Sequence, residues 1–155
     1  ELLKRLEIKG VDQSFITVHS GLGNFREIDV EDLTKHRMDS EEMEASQLLV
    51  DQVNAAKDAE HRVCAVGTSV LRGISSAVSM GGHMKTYSGW TNKFIFPPYD
   101  FTVATSLVSN FHLPYSTMLM MVAAFGGYDV VMNAYDVAVK EKYRFGAYGD
   151  AMLII

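Results

Sequence analysis

Residues 62–78 read RVCAVGTSVLRGISSAV. The first five, 62–66, form a short apolar run of the kind found in a strand buried on both faces. Gly67, Thr68 and Ser69 then turn the chain into a helix expected over 70–78. A strand that runs straight into a helix is the repeating step of an α/β domain built on a substantially parallel sheet.

The flanks extend this alternation. On the N-terminal side, residues 2–8 have helical spacing and Gly10 suits a C-terminal stop. Residues 15–19, FITVH, are β-branched and aromatic and predict a strand. SGLGNF follows as a tight loop, with a second extended piece near 25–30. Residues 36–46, HRMDSEEMEAS, are expected to be extended and partly exposed. Ser46 can cap a helix running to about 59, with Leu49, Val53 and Ala56 on one face. On the C-terminal side, SMGGH is a loop. TNKFIFPPY predicts a strand ended by Pro97 and Pro98, which cannot donate to a ladder. Residues 103–110 suit either helix or strand. Residues 118–125 form an apolar helix that Ser116 or Thr117 can cap. Gly126 and Gly127 break the chain before an amphipathic helix over 128–143, with Val131, Tyr135 and Val139 in register. AMLII closes as a strand. The expected fold is α/β, a largely parallel or mixed sheet flanked by helices, in one domain over 1–155.

Composition narrows the function classes. The chain has 155 residues, 48% hydrophobic and 21% charged, enough apolar material to bury a core and too much for disorder. No apolar run reaches the length of a membrane span, and no leader is recognisable. The single cysteine, Cys64, fits a reducing cytosol and leaves no intrachain disulfide. The five histidines are scattered without metal-ligand spacing, so no metal site is expected. A net charge of −5 disfavours broad non-specific nucleic-acid binding, while allowing a local basic patch. Glu1 begins inside a charged helical stretch, so the chain is expected to be part of something longer.

Four constellations can carry chemistry. Gly67, Thr68 and Arg72 stand where a strand end meets a helix N-terminus, suited to a carboxylate or phosphate; equally, Thr68 or Ser69 caps the helix and Arg72 lies on its surface. The glycine spacing matches neither a phosphate-binding P-loop nor a dinucleotide fingerprint. In SNFHLPYST, capping accounts for the hydroxyls but not for Asn110 and His112, and a neutral imidazole can take a proton. His19 ends a strand ahead of a glycine-bearing loop. In YRFGAYGDAML, glycines bracket Tyr148, and Asp150 is placed either to orient a histidine or to cap a turn. Trp90, Phe111, Tyr143 and Phe145 can stack on a base, with packing as the simpler reading of each. No serine sits on a G-x-S-x-G elbow and no early glycine-rich S-adenosylmethionine loop is present, which argues against a hydrolase or a generic methyltransferase.

Taken in order, ITVHSGLGNF, HRMDSE, VCAVGTSVLRG, GWTNKFIFPPYDF, SNFHLPYSTMLMMVAAFGG and YRFGAYGDAMLI resemble the C-terminal half of the S-adenosylmethionine:tRNA ribosyltransferase-isomerase family of queuosine biosynthesis. The resemblance covers essentially the whole chain. It implies a larger α/β domain with an inserted β-barrel, the barrel being absent from this chain together with a PTAGLHFT-like segment ahead of Glu1. It further implies transfer of the ribosyl part of S-adenosylmethionine to 7-aminomethyl-7-deazaguanine at the tRNA wobble position. The product is epoxyqueuosine, and adenine and methionine are released. No cofactor beyond the substrate S-adenosylmethionine, no metal, no membrane and a monomeric cytoplasmic enzyme are expected. The chain departs from the pattern at GNF for GTF, at PPY for PGY, at Ser75 in place of Glu, and at Asp39 where many members carry His.

That reaction assigns expected roles. His112 or His19 serves as base. Asn110 and Thr117 position substrate, and Gly67, Thr68 and Arg72 hold an anionic group. Asp150 orients a histidine or contacts the amine. Arg144 and Tyr148 complete the substrate-binding set. The alternative is a non-catalytic fragment that holds nucleoside or tRNA but lacks the N-terminal half of the site.

Overall fold

The computed structural model describes the backbone of residues 1–155 and every side chain except that of Phe25. The elements are α1 (Leu2–Ile8), β1 (Thr17–His19), β2 (Glu41–Ala45), α2 (Gln47–Asp58), β3 (Cys64–Val66), α3 (Thr68–Ser76), β4 (Tyr87–Thr91), β5 (Ser106–Asn110), α4 (Thr117–Gly126), α5 (Tyr128–Lys140) and β6 (Ala151–Ile154). The architecture is mixed α/β, as expected, but the strands divide between two small sheets. One has the order β1-β2-β4 and is antiparallel throughout; the other has the order β3-β5-β6. Parallel pairing is confined to β3 and β5, and β6 runs antiparallel to β5.

Locally encoded ends are where the sequence places them. The Ser46 hydroxyl accepts from the Leu49 amide at the start of α2, and the Ser116 hydroxyl accepts from Leu119 at 3.1 Å at the start of α4. Gly10 has φ +78°, the left-handed turn that ends α1.

Four segments differ from expectation. Stretch 62–66 yields only Cys64–Val66, and it is an edge strand: Ala65 is buried while Val66 is 65% exposed. The strand expected in TNKFIFPPY lies earlier, at Tyr87–Thr91, where five residues pair with β2. Segment 92–96 is irregular and buries Ile95. Residues 22–25 form a 3-10 turn, and the extended piece after it makes one bridge, Glu27 to Ser116. In α5, Ala138 rather than Val139 follows Val131 and Tyr135 into the core.

α3 joins the two sheets. Leu71 and Ile74 enter a core shared with Met43 and Ala45 of the first sheet and Ala65 and Leu107 of the second. A Cβ on Gly73 would meet the Ile16 side chain at 2.6 Å, so the chain entering β1 lies close against this helix. No single helix among the described residues is long and apolar enough to cross a membrane; α4 and α5 are bent by 116° at Gly127.

The segment 36–46, expected to be partly exposed, supplies the central strand of the first sheet. Its residues alternate, with Glu41, Met43 and Ala45 buried. Glu41 makes an ion pair with Arg72 of α3, and each side chain is 2% exposed. The other Glu41 oxygen accepts from the Gly21 amide and from the Asn24 side-chain amide, both at 2.8 Å. Arg72 Nη1 lies 3.4 Å from Asn24 Oδ1.

Removing one partner of such a pair leaves an uncompensated charge in the core. Glu41→Ala is expected to cost about 3–5 kcal/mol in urea unfolding. A loss below about 1 kcal/mol, the size of an exposed pair, would show that the contact carries little of the fold.

Candidate functional site

Because β3 and β5 are parallel and β6 runs against them, three chain segments meet one sheet edge. Val66 pairs with Val108, and Asn110 pairs with Ala151. Gly67–Thr68, Asn110–His112 and Gly149–Asp150 therefore share the carboxyl end of this sheet, where α/β proteins bind ligands. Gly67 adopts φ +101° and donates to the Val108 carbonyl at 2.8 Å. Nothing lies within 4 Å of the position its Cβ would take, so the backbone is open to close approach. Thr68, the first residue of α3, and Thr117, the first of α4, are both buried.

His112 is anchored from two elements. Its backbone amide donates to the Tyr135 hydroxyl of α5 at 2.9 Å, and its Nε2 lies 2.8 Å from Ser109 Oγ of β5. Ser109 has one hydroxyl hydrogen and donates it to the Asn110 carbonyl at 2.9 Å. When that hydrogen goes to the Asn110 carbonyl, Ser109 accepts from Nε2–H and the lone pair of the ring lies on Nδ1. Nδ1 has no hydrogen-bond partner among the described residues. Burial pulls the imidazole below its ordinary value, so it is neutral at pH 7. Phe111 packs edge-on against Tyr135 and Tyr143 and lies 5.2 Å from the Phe145 ring, so these rings form a packed cluster.

The 144–150 loop closes on itself. Asp150 accepts from the Arg144 amide at 2.7 Å and pairs with the Arg144 guanidinium at 3.4 Å. These bonds hold its carboxyl below the usual range. Of the two roles expected for Asp150, the structure displays the turn: its carboxylate is engaged by Arg144, and no histidine bonds to it among the described residues. The Asn110 side chain donates to the Asp150 carbonyl at 3.2 Å, tying the strand end to this loop. Tyr148 is 100% exposed, and the Arg144 side chain is also exposed.

The remaining expected residues lie apart from this group. His19 is exposed at the end of β1, opposite Glu42. Arg72 does not lie open to a ligand anion as expected; the Glu41 carboxylate neutralises it inside the protein. The glycine loop after His19 nevertheless reaches the α4 N-terminus, where Glu27 bridges Ser116 and the Ile28 amide donates to the Tyr115 carbonyl at 2.8 Å.

Sequence reasoning missed Glu41, Asn24 and Tyr115, and it gave Ser109 only a capping role and Tyr135 only a place on the in-register face of its helix. Glu41 was detectable as a carboxylate on the same alternate face as Met43 and Ala45. Tyr115 follows Pro114 at the turn position that ordinarily takes Gly or Asn, with φ +59° and 69% exposure. Ser75, where the resemblance expects Glu, is buried, and its carbonyl accepts from Lys93 at 2.9 Å.

The loop clasp has a steric test. A Cβ on Gly149 would stand 2.2 Å from the Arg144 carbonyl oxygen, a backbone atom. Gly149→Ala should therefore open the loop, cost about 1–3 kcal/mol and speed amide exchange at 144–150. Unchanged exchange there would contradict the clasp.

Comparison with known proteins places this geometry in a family. The model for "Queuosine biosynthesis protein" matches residues 1–154. A Parabacteroides distasonis protein named S-adenosylmethionine:tRNA ribosyltransferase-isomerase is 70% identical over 155 residues, covering 100% of this chain and 44% of its own length. A Bacteroides fragilis protein of the same name is 68% identical over the same span, again 44% of its length. The chain thus spans less than half of these relatives. A crystal structure of S-adenosylmethionine tRNA ribosyltransferase from Thermotoga maritima superposes with a TM-score of 0.81 at 36% identity, over 99% of this chain and 48% of that one. With its sequence matched from end to end and its fold reproduced in a solved relative, the chain belongs to the queuosine biosynthesis protein family.

Proposed function

We propose that this chain forms the C-terminal part of an enzyme that transfers and isomerises the ribosyl moiety of S-adenosylmethionine. The acceptor is 7-aminomethyl-7-deazaguanine at the wobble position of tRNA. The product is epoxyqueuosine-tRNA, with release of adenine and methionine. The observation that carries the reading is His112: a neutral imidazole, oriented by Ser109 and Tyr135, with Nδ1 unpartnered at the strand-end edge.

The chemistry needs such a group. The sulfonium acidifies the adjacent ribose C5′ protons, and a base poised near neutrality must remove one. In this reading His112 is that base. His19, at the end of β1, is a second candidate with no bond to the His112 cluster. Gly67 and Thr68 offer backbone and hydroxyl donors to an anionic group. Arg72 acts indirectly, through Glu41 and the 21–24 loop. Asn110 and Asp150 hold the 144–150 loop so that Tyr148 and Arg144 are presented to substrate, and Thr117, at the first turn of α4, positions substrate with Asn110. The wobble base lies in an unpaired loop, where exposed rings such as Tyr115 and Tyr148 can stack on it. No cofactor besides S-adenosylmethionine enters, and the enzyme acts as a monomer in the cytoplasm.

The 44% coverage favours a second reading for this stretch taken alone, as a nucleoside- or tRNA-binding module without turnover. The two separate in one assay. The full-length protein carrying this chain is mixed with S-adenosylmethionine and an anticodon stem-loop containing 7-aminomethyl-7-deazaguanine. Adenine release with a matching RNA mass gain is expected. The chain 1–155 alone should bind the stem-loop without releasing adenine. In the full-length protein, His112→Ala should lower turnover about 10²–10⁴-fold. The acid limb assigned to His112 should fall below pH 6.5, the ordinary histidine value, because burial disfavours the protonated ring. Wild-type turnover in His112→Ala would remove His112 from the mechanism.

Tyr115 gives an independent check. A bulky side chain at φ +59° is strained by about 1–3 kcal/mol, and Asn tolerates that conformation. Tyr115→Asn should hold or raise the melting temperature. Loss of the ring should weaken stem-loop binding about tenfold, the size of one lost stacking contact. Unchanged binding would exclude Tyr115 as a stacking surface.

A further inference from the structure

Beyond the C-terminal end of α3 the chain turns back on itself over residues 77–85 before it enters β4. The base of this loop is held by bonds that carry no titrating group. The Lys85 amide donates to the Ala77 carbonyl at 2.9 Å, and Val78 bridges Met84. The Asn54 side chain of α2 accepts from the Met84 amide and donates to the Met84 carbonyl, both at 2.9 Å. Met84 itself is buried. The tip, residues 79–83, is closed by bonds of its own. The Ser79 amide and hydroxyl both donate to the His83 carbonyl at 2.8 Å, and the Gly82 amide donates to the Ser79 carbonyl at 2.9 Å.

Among the described residues, the tip is hydrogen-bonded to α2 through His83. Its Nε2 lies 2.6 Å from Asp58 Oδ1, and its Nδ1 lies 3.3 Å from the Gly81 carbonyl oxygen. A carboxylate and a carbonyl are both acceptors. A neutral imidazole has one N–H and one lone pair, so between two acceptors it satisfies one and sets its lone pair against the other. The imidazolium has an N–H on each nitrogen and satisfies both. The bond to Asp58 and then the bond to Gly81 accordingly raise the ring above the ordinary histidine value of 6.5. The charged groups that face the ring come from α2: Asp58 favours its charge and Lys57 opposes it. Lys57 also donates to the Thr102 carbonyl. The 99–104 segment meets the loop at uncharged Thr102, whose Cβ would stand 4.0 Å from a Cβ on Gly82.

We propose that residues 79–83 form a proton-operated strap, closed onto α2 while His83 is charged and released from Asp58 when the ring is neutral. Because the folded ring holds its proton more tightly than the unfolded one, the contact is fully present below pH 6.5. It is lost as pH rises through the raised folded value. Release leaves the Asp58 carboxylate free and removes one positive charge, so this end of α2 becomes more acidic. The base of the loop stays on Asn54. The strap lies outside the His112 cluster and does not depend on the reaction proposed for it.

The test follows the histidine ring nitrogens of the full-length protein by NMR from about pH 5 to 8, with His83→Ala assigning the His83 signals. The ring should titrate above pH 6.5, with both nitrogens protonated below its midpoint. Hydrogen-exchange protection of the Ser79 and Gly82 amides, corrected for the intrinsic pH dependence of exchange, should fall about two- to fivefold as it deprotonates, the scale of an exposed ion pair. The Met84 amide should keep its protection. Asp58→Asn should lower the His83 midpoint, and His83→Ala should leave the tip weakly protected at every pH. The two side chains are 43% and 66% exposed, so neither result hinges on folding. A His83 midpoint at or below pH 6.5, or wild-type tip protection in His83→Ala, would overturn the proposal. So would loss of Met84 protection together with the tip, because the whole segment would then open as one.

Discussion

The Glu41–Arg72 pair sets the relation between the two sheets. Hydrophobic burial draws α3 against both of them, but burial has no direction and tolerates sliding. An ion pair withdrawn from water tolerates very little, because each charge is costly without the other. Glu41 belongs to the central strand of the first sheet and Arg72 to the helix that leaves the second. The second Glu41 oxygen fixes Gly21 and Asn24, so one carboxylate positions a strand, a helix and a loop. That loop then runs on to Glu27 and Ile28, which hold the turn ahead of α4. A buried pair thereby fixes one wall of the strand-end edge.

This explains which features were legible in the sequence. Ser46 and Ser116 were readable as caps because a cap is satisfied within three residues. The break at Gly126–Gly127 and the closing strand were equally local. Strand position was less so. TNKFIFPPY has the β-propensity, yet YSGWT forms the strand, because pairing with β2 at five positions outweighs the poor propensity of Ser88 and Gly89. Stretch 62–66 read as buried on both faces because apolar composition does not reveal whether both faces are covered; in β3 Ala65 is buried while Cys64 and Val66 are exposed.

The candidate site divides along the same line. Asn110 and His112 stood out because helix capping could not account for them, and both stand at the strand-end edge. Asp150 offered two roles, and the shorter-range one is seen, with Arg144 six residues away. Arg72 read as an anion-binding group because its partner comes from a distant strand. Ser109 read as a capping hydroxyl and Tyr135 as one position on an amphipathic face, and only the folded chain turns their hydroxyls toward His112.

The two hydroxyls that orient His112 also divide the edge into an anchored half and an exposed half. Ser109 sits in the middle strand of its sheet, and Tyr135 packs within the ring cluster of Phe111 and Phe145. The imidazole therefore takes its direction from buried structure. Tyr115 and Tyr148 project from turns with their rings in solvent. Proton abstraction requires a base held to within a fraction of an ångström, whereas stacking on an unpaired base tolerates adjustment. A fixed imidazole together with adaptable rings is the arrangement that the proposed reaction, between a small nucleoside and a flexible RNA loop, would need. Of these three side chains, the imidazole alone is held by buried structure.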